Sequence, residues 1–361
     1  MKNPIASGRP VIRSAGGSNG RRSFGRRSGW LALIVSLAFT AGALVLSFGH
    51  PLNGANTGSG ATAIGVTTKS SMAGMDMSSS PAVAATTVAA TNIARDATDV
   101  GKPIARTSPS TIEFNLTTKE VVGQLDGKTT YRFWTFNGTV PGPMLRVMQG
   151  DTVVIHLHNE STSLMPHSLD FHAASGPGGG AGVSQTAPGK DSSFSFKALH
   201  PGLYVYHCAT QPVSTHIADG MYGMLLVEPP GGLAKVDKEF YLVQSEYYTS
   251  EPKGTVGEVH YSAESMLAER PTYYALNGKV GALVGAGALH ASVGQTISMY
   301  VGVGSFKHSN FHVIGKIFDI LYKEGSIGNA PLNNVQNTVV TVGGSTIVEL
   351  TLQAPGTYVI V

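Results

Sequence analysis

One stretch of the chain, Met165 to Val227, gathers residue types that bind a redox metal. It reads MPHSLDFH, then a Gly-rich loop, then LHPGLYVYHC, then ATQPVSTHIADGMYGMLLV. Within it lie the single cysteine of the chain, Cys208, the histidines His167, His172, His207 and His216, and Met221. A thiolate, two imidazoles and a weak thioether are what a blue-copper electron-transfer site needs. Cys208, His216 and Met221 share one short loop between two apolar strands, and His167 can arrive from an earlier strand. His172 and His207 are then left over, which points to a second metal.

The spacing carries the argument. A strand alternates its faces, so the adjacent His207 and Cys208 point opposite ways. If Cys208 binds one metal, His207 is free to bind another, with a short covalent path between them. His167 and His172, with Asp170 between them, can be divided between the same two sites. The competing reading is a buried cysteine in a β-core with scattered histidines. A histidine eight residues and a methionine thirteen residues beyond Cys208 argue against it.

PHSLDFHAAS, the PGLYVYHC strand and the H-x4-M loop from His216 to Met221 resemble copper-containing nitrite reductase, a two-domain cupredoxin enzyme related to multicopper oxidases. The resemblance covers roughly Thr111 to Val361. It implies that His167, Cys208, His216 and Met221 hold an electron-accepting type 1 copper. It likewise implies that His172 and His207 hold a catalytic type 2 copper beside the acid Asp170. FHVIG resembles the family's second-domain motif, in which His312 and Ile314 would reach the type 2 copper of a neighbouring subunit in a homotrimer. The implied reaction is one-electron reduction of nitrite to nitric oxide, fed by a small cupredoxin or a c-type cytochrome. Asp170 and His312 would deliver its protons.

Those residues need a scaffold, and the composition describes one. With 361 residues, the chain is long enough for two domains plus extras. Forty-five glycines, few charges and many Val, Thr and Tyr favour an all-β fold. Short strand-like runs (TIEFNLTT, TYRFWTFN, DTVVIHLHN, SFSFKAL, LYVYHC, MYGMLLVE) alternate with Asn-Gly and Pro-Gly turns, as in a Greek-key sandwich or barrel. His156 and His158 alternate with Ile155 and Leu157 and read as surface residues, while His308 and His290 read as structural.

The second half repeats the first in order. FNGTV (136–140) returns as LNGKV (276–280), and VMQGDTV (147–153) as SVGQTI (292–297). HSLDFH (167–172) returns as HSNFH (308–312), and PGLYVY (201–206) as PGTYVI (355–360). Two tandem cupredoxin-like domains are expected, at 109–230 and 231–361. The second lacks a cysteine and so any thiolate copper. By the repeat, Val361 stands where His207 stands in the first copy. The second copy therefore reads as C-terminally incomplete, without its closing strand or the family's third type 2 histidine, and the sequence as a fragment.

Upstream, residues 1–29 hold seven Lys/Arg and no acid, and an apolar run of 19 residues, Trp30 to Phe48, follows. That pattern is an export signal or a membrane anchor, and RRSF resembles a twin-arginine signal. A periplasmic or otherwise extracytoplasmic location is expected. Residues 49–108 read as a flexible Gly/Ala/Ser/Thr linker, with Met72, Met75 and Met77 as a loose Cu(I)-binding possibility. The net charge of +3 comes from the leader; the remainder has eighteen basic against twenty-two acidic residues, which gives no footprint for nucleic acid. Two further readings remain: an electron-transfer or copper-binding cupredoxin without catalysis, and a laccase-like oxidase. The latter needs paired HxH motifs, and His156/His158 is the sole HxH.

Overall fold

Alternation of apolar and polar residues drives the strands, as β4 illustrates: Val153, Ile155 and Leu157 are buried while His156 and His158 face away. The computed structural model describes residues 90–361. The expected leader (1–48), most of the expected linker and the Met72/Met75/Met77 group lie outside the described residues. Among the described residues, no helix is long and apolar enough to cross a membrane.

The first half comprises β1 (Thr111–Asp126), β2 (Thr129–Phe136), β3 (Leu145–Met148), β4 (Thr152–Asn159), β5 (Asp170–Phe171), β6 (Asp191–Lys197), β7 (Gly202–His207), α1 (Val213–Ala218) and β8 (Tyr222–Glu228). The second comprises β9 (Lys238–Tyr247), β10 (Gly257–Val259), α2 (Ala263–Leu267), β11 (Tyr273–Leu276), β12 (Thr296–Val303), β13 (Ser309–Ile314), β14 (Phe318–Tyr322), β15 (Leu332–Val335), β16 (Asn337–Val340), β17 (Ser345–Thr351) and β18 (Val359–Ile360). In the first half a sheet ordered β2-β1-β4-β6, extended at the β2 edge by β10 of the second half, faces one ordered β3-β8-β7-β5. In the second, β11-β9-β12-β17-β14-β15 faces β16-β13-β18. The fold is all-β, with two cupredoxin-like sandwiches in tandem.

Three apolar clusters follow from this plan. Leu116, Ile155, Phe171, Tyr206, Cys208 and Met221 belong to the core of the first sandwich. Leu242, Val301, Phe311, Phe318 and Val348 belong to that of the second. Between them lies a third cluster that includes Tyr131, Phe133, Tyr222, Tyr241, Tyr247 and Tyr300. Cys208 and Met221 are thus core residues, which fixes their side chains by packing.

The linker expected to reach residue 108 gives way to packed chain earlier. Thr91 bridges to Gly123, Ile93 is fully buried, Ala97 O accepts from Tyr241 N–H, and Arg106 pairs with buried Asp151. Residues 91–106 are a strap touching both halves. Its contacts are irregular, so no periodic pattern announces it.

Candidate metal centres

The first cluster forms where four segments meet. His167 is pinned by a two-way backbone bridge with Thr186, at 3.0 and 2.8 Å. Cys208 follows directly on β7, its N–H donating to Met221 O at 3.0 Å. His216 sits in α1, and Met221 N–H donates back to His216 O at 3.1 Å. Cys208 Sγ lies 3.2 Å from His216 Nδ1 and 3.8 Å from His167 Nδ1, and the two Nδ1 atoms are 3.1 Å apart. His167, Cys208, His216 and Met221 are all fully buried.

This geometry answers whether a metal fits. Three donor atoms converge in a dry pocket, while the opposite ring nitrogens, Nε2 of His167 and His216, are buried without a hydrogen-bond partner. Burial pulls the His167 pKa down to about 3, with a smaller push from His216, and burial alone takes His216 to about 4. Both imidazoles are therefore neutral ligands at ordinary pH. Burial raises the Cys208 thiol, opposed by donors that include Ser168 N–H at 3.5 Å. A soft or borderline cation would satisfy all three donors and draw off the thiol proton, so the set fits copper. Trp134, which the sequence places only within the strand-like run TYRFWTFN, packs edge-on against His216 at 4.7 Å and His167 at 5.7 Å.

The second cluster occupies the other face of the same junction. Asp170, His172 and His207 place ligand atoms within 4.8 Å of one another. The two imidazoles stand at right angles, 5.2 Å between centroids. β5 pairs Asp170 with His207 on β7, and His172 N–H donates to Val205 O at 3.1 Å. His207 Nδ1–H donates to Cys208 O at 3.0 Å, which leaves Nε2 for a metal, 4.0 Å from Asp170 Oδ2. Desolvation of its inner side and the nearby His207 hold His172 below the ordinary histidine pKa, against a weaker upward pull from Asp170. Two imidazoles on an accessible rim suit a metal with an open position, and the carboxylate beside them can move protons.

The sequence-derived residues His167, Cys208, His216 and Met221 thus meet on one side, and Asp170, His172 and His207 on the other. His312 and Ile314 join neither cluster. Both lie on β13 in the second half, on the outward face, and Ile314 is 50% exposed. His312 Nδ1–H donates to Gln336 O at 2.6 Å, and its backbone pairs both ways with Val361 at 2.9 Å. His156 and His158 bond to Glu113 and Asp191 on the open face of the first sandwich, outside both clusters.

Comparison with known proteins agrees with this geometry. The multicopper oxidase family signature matches residues 117–232. The copper-containing nitrite reductase of Neisseria meningitidis serogroup A is 50% identical over 266 residues, covering 73% of this chain and 68% of that relative. The enzyme of Alcaligenes xylosoxydans is 35% identical over 277 residues, covering 71% of this chain and 82% of the relative. In three dimensions, the copper nitrite reductase of Nitrosomonas europaea superposes with a TM-score of 0.61 at 31% identity, over 70% of this chain and 88% of that one. With half of its aligned residues shared and two metal-ready clusters back to back, the chain belongs to the copper-containing nitrite reductase family.

Proposed function

We propose that this protein reduces nitrite to nitric oxide by one electron, with a type 1 copper in the Cys208 cluster and a type 2 copper in the His172/His207 cluster. Bound there, copper supplies one-electron redox chemistry at the first cluster and Lewis-acid and redox chemistry at the second. The observation that carries the proposal is the junction His207–Cys208, where consecutive residues belong to opposite clusters. Electrons entering beside Met221 and His216 have a covalent path of one peptide to the second site.

The overall change consumes two protons: nitrite, one electron and two protons give nitric oxide and water. Asp170, beside His207, is placed to hold one proton at its carboxyl group and pass it to a substrate oxygen. His312 has its Nδ1 proton committed to Gln336, so Nε2 is free to serve a site outside its own sandwich. Assembly as a homotrimer would bring it, with Ile314, to a neighbour's Asp170. The outward face of β13 and β16, where His312 stands among exposed Ile314 and Val339, supports that arrangement. Export and possible tethering rest on residues 1–48, and a small redox protein is the donor this reading requires.

The decisive experiment is nitric oxide production from nitrite by copper-loaded protein, alongside Cys208→Ser. The wild type should be coloured and produce nitric oxide. The variant should lose the visible band, retain copper at His172/His207, and lose turnover from a protein donor. A coloured, redox-active wild type that makes no nitric oxide would instead be an electron-transfer protein. Full-speed turnover by Cys208→Ser would sink the proposal.

A further inference from the structure

Shortly after His172 the chain makes a Gly-rich turn that passes against Asp170. Pro177–Gly180 is a short 3-10 turn in which Gly178 and Gly179 both adopt left-handed backbone, at φ 73° and 54°. The turn is fastened below: Ser184 Oγ donates to Gly180 O at 2.8 Å and accepts from Leu169 N–H at 2.9 Å, one residue before Asp170. Near-identical backbone conformations at the two glycines have unlike surroundings. A Cβ on Gly178 would meet nothing within 4 Å. A Cβ on Gly179 would overlap Asp170 Oδ1 and stand 2.8 Å from its Cγ. The Gly179 backbone is therefore in contact with one side of the carboxylate, and His207 Nε2 lies beyond the other, 4.0 Å from Oδ2.

We infer that Gly179 is a positioning residue: its bare Cα forms a wall that holds the Asp170 carboxylate toward the His172/His207 pair. The inference rests on the role proposed for Asp170. A proton donor must be held to well under an ångström of its productive place, and a wall without a side chain does so without adding a competing hydrogen bond. Because the group in the way is the tip of a short side chain, an added methyl rotates the carboxylate instead of blocking folding. The contrast with Gly178 separates this effect from left-handed strain, which both positions share.

The test compares copper-loaded Gly178→Ala, Gly179→Ala, Asp170→Asn and the double variant Asp170→Asn/Gly179→Ala, with crystal structures of the copper-free single variants. Gly179→Ala should lower kcat about 10- to 100-fold, with the visible band unchanged. Gly178→Ala should stay within about twofold of wild type. In the Asp170→Asn background, Gly179→Ala should cost nothing more, since both changes remove one function. In the copper-free structures, Asp170 should be displaced in Gly179→Ala and unmoved in Gly178→Ala. Equal losses in the two glycine variants, an unmoved carboxylate, or a full additional loss on top of Asp170→Asn would overturn the inference. Wild-type turnover in Asp170→Asn would remove the acid and its wall together. Absence of nitric oxide from the wild type would instead refute the functional reading, leaving the displacement to be judged by crystallography.

Discussion

At the scale of single residues, the buried histidines tie stability to pH. His167 and His216 are held neutral by burial, with pKa values of about 3 and about 4 against an ordinary 6.5. An unfolded chain binds those protons near pH 6.5 and the folded, copper-free chain does not. Their favourable contribution is thus complete above about 6.5 and lost as pH falls through the window down to about 4 and then about 3. Each group adds a slope of up to about 1.4 kcal/mol per pH unit within it. Copper-free protein should therefore melt at markedly lower temperature at pH 5 than at pH 7, and His216→Gln should flatten that dependence. Calorimetry at the two pH values checks this; a flat wild-type profile would mean the rings are protonated in the fold. The opposed directions of His207 and Cys208 were legible because strand alternation is a local rule. Gly179 was not, because its contact with Asp170 depends on the path of a loop whose sequence, GPGGG, permits many paths.

At the scale of elements, the internal repeat reappears in atomic detail. Asn137 and Asn277 both open Asn-Gly turns with positive φ, at 58° and 52°. Asn137 Oδ1 accepts from Thr117 N–H at 2.7 Å, and Asn277 Oδ1 from Val243 N–H at 2.9 Å. β1 runs parallel to β4 as β9 does to β12, with an antiparallel partner on the other side in each half, β2 for β1 and β11 for β9. The turn chemistry made this duplication readable from the sequence. The joint between the halves was not readable, because it is built from residues distant in sequence. Arg146 on β3 is buried, paired with fully buried Glu228 on β8 and, at 3.0 and 3.1 Å, with Glu239 on β9. Tyr300 OH donates to the same Glu239 at 2.5 Å. Removing the guanidinium takes the cation from both carboxylates and leaves Glu228, fully buried, with only the N–H donors of Ile104 and Leu233. Arg146→Met should destabilise by about 3–5 kcal/mol, measured by denaturant titration, while leaving the visible copper band at its wild-type position. A loss below about 1 kcal/mol would show that water reaches Glu228.

At the scale of the whole molecule, one outer surface sets exposed apolar side chains beside a histidine. On the sheet β16-β13-β18, β13 turns Asn310, His312 and Ile314 outward and packs Phe311 and Val313 inward. β16 turns Val339 outward, opposite Asn310 in the ladder. Ile314 and Val339 are 50% and 55% exposed although the strands around them are well packed. Apolar side chains flanking a histidine whose Nδ1 proton is already committed form a surface suited to burial against another subunit. If the proposed trimer forms there, catalysis and assembly are one property, because each second cluster receives His312 only from a neighbour. The double variant Ile314→Glu/Val339→Glu places charge in that contact and should convert trimer to monomer in light scattering. Its first cluster lies entirely within one chain, so the visible band and the reduction of that copper by a small-molecule reductant should be unchanged. Nitrite turnover should fall by about 10²-fold or more, the contribution of a lost general acid and its positioning. A monomer with wild-type turnover would remove His312 from the reaction, and a variant that remains trimeric would move the contact to another face.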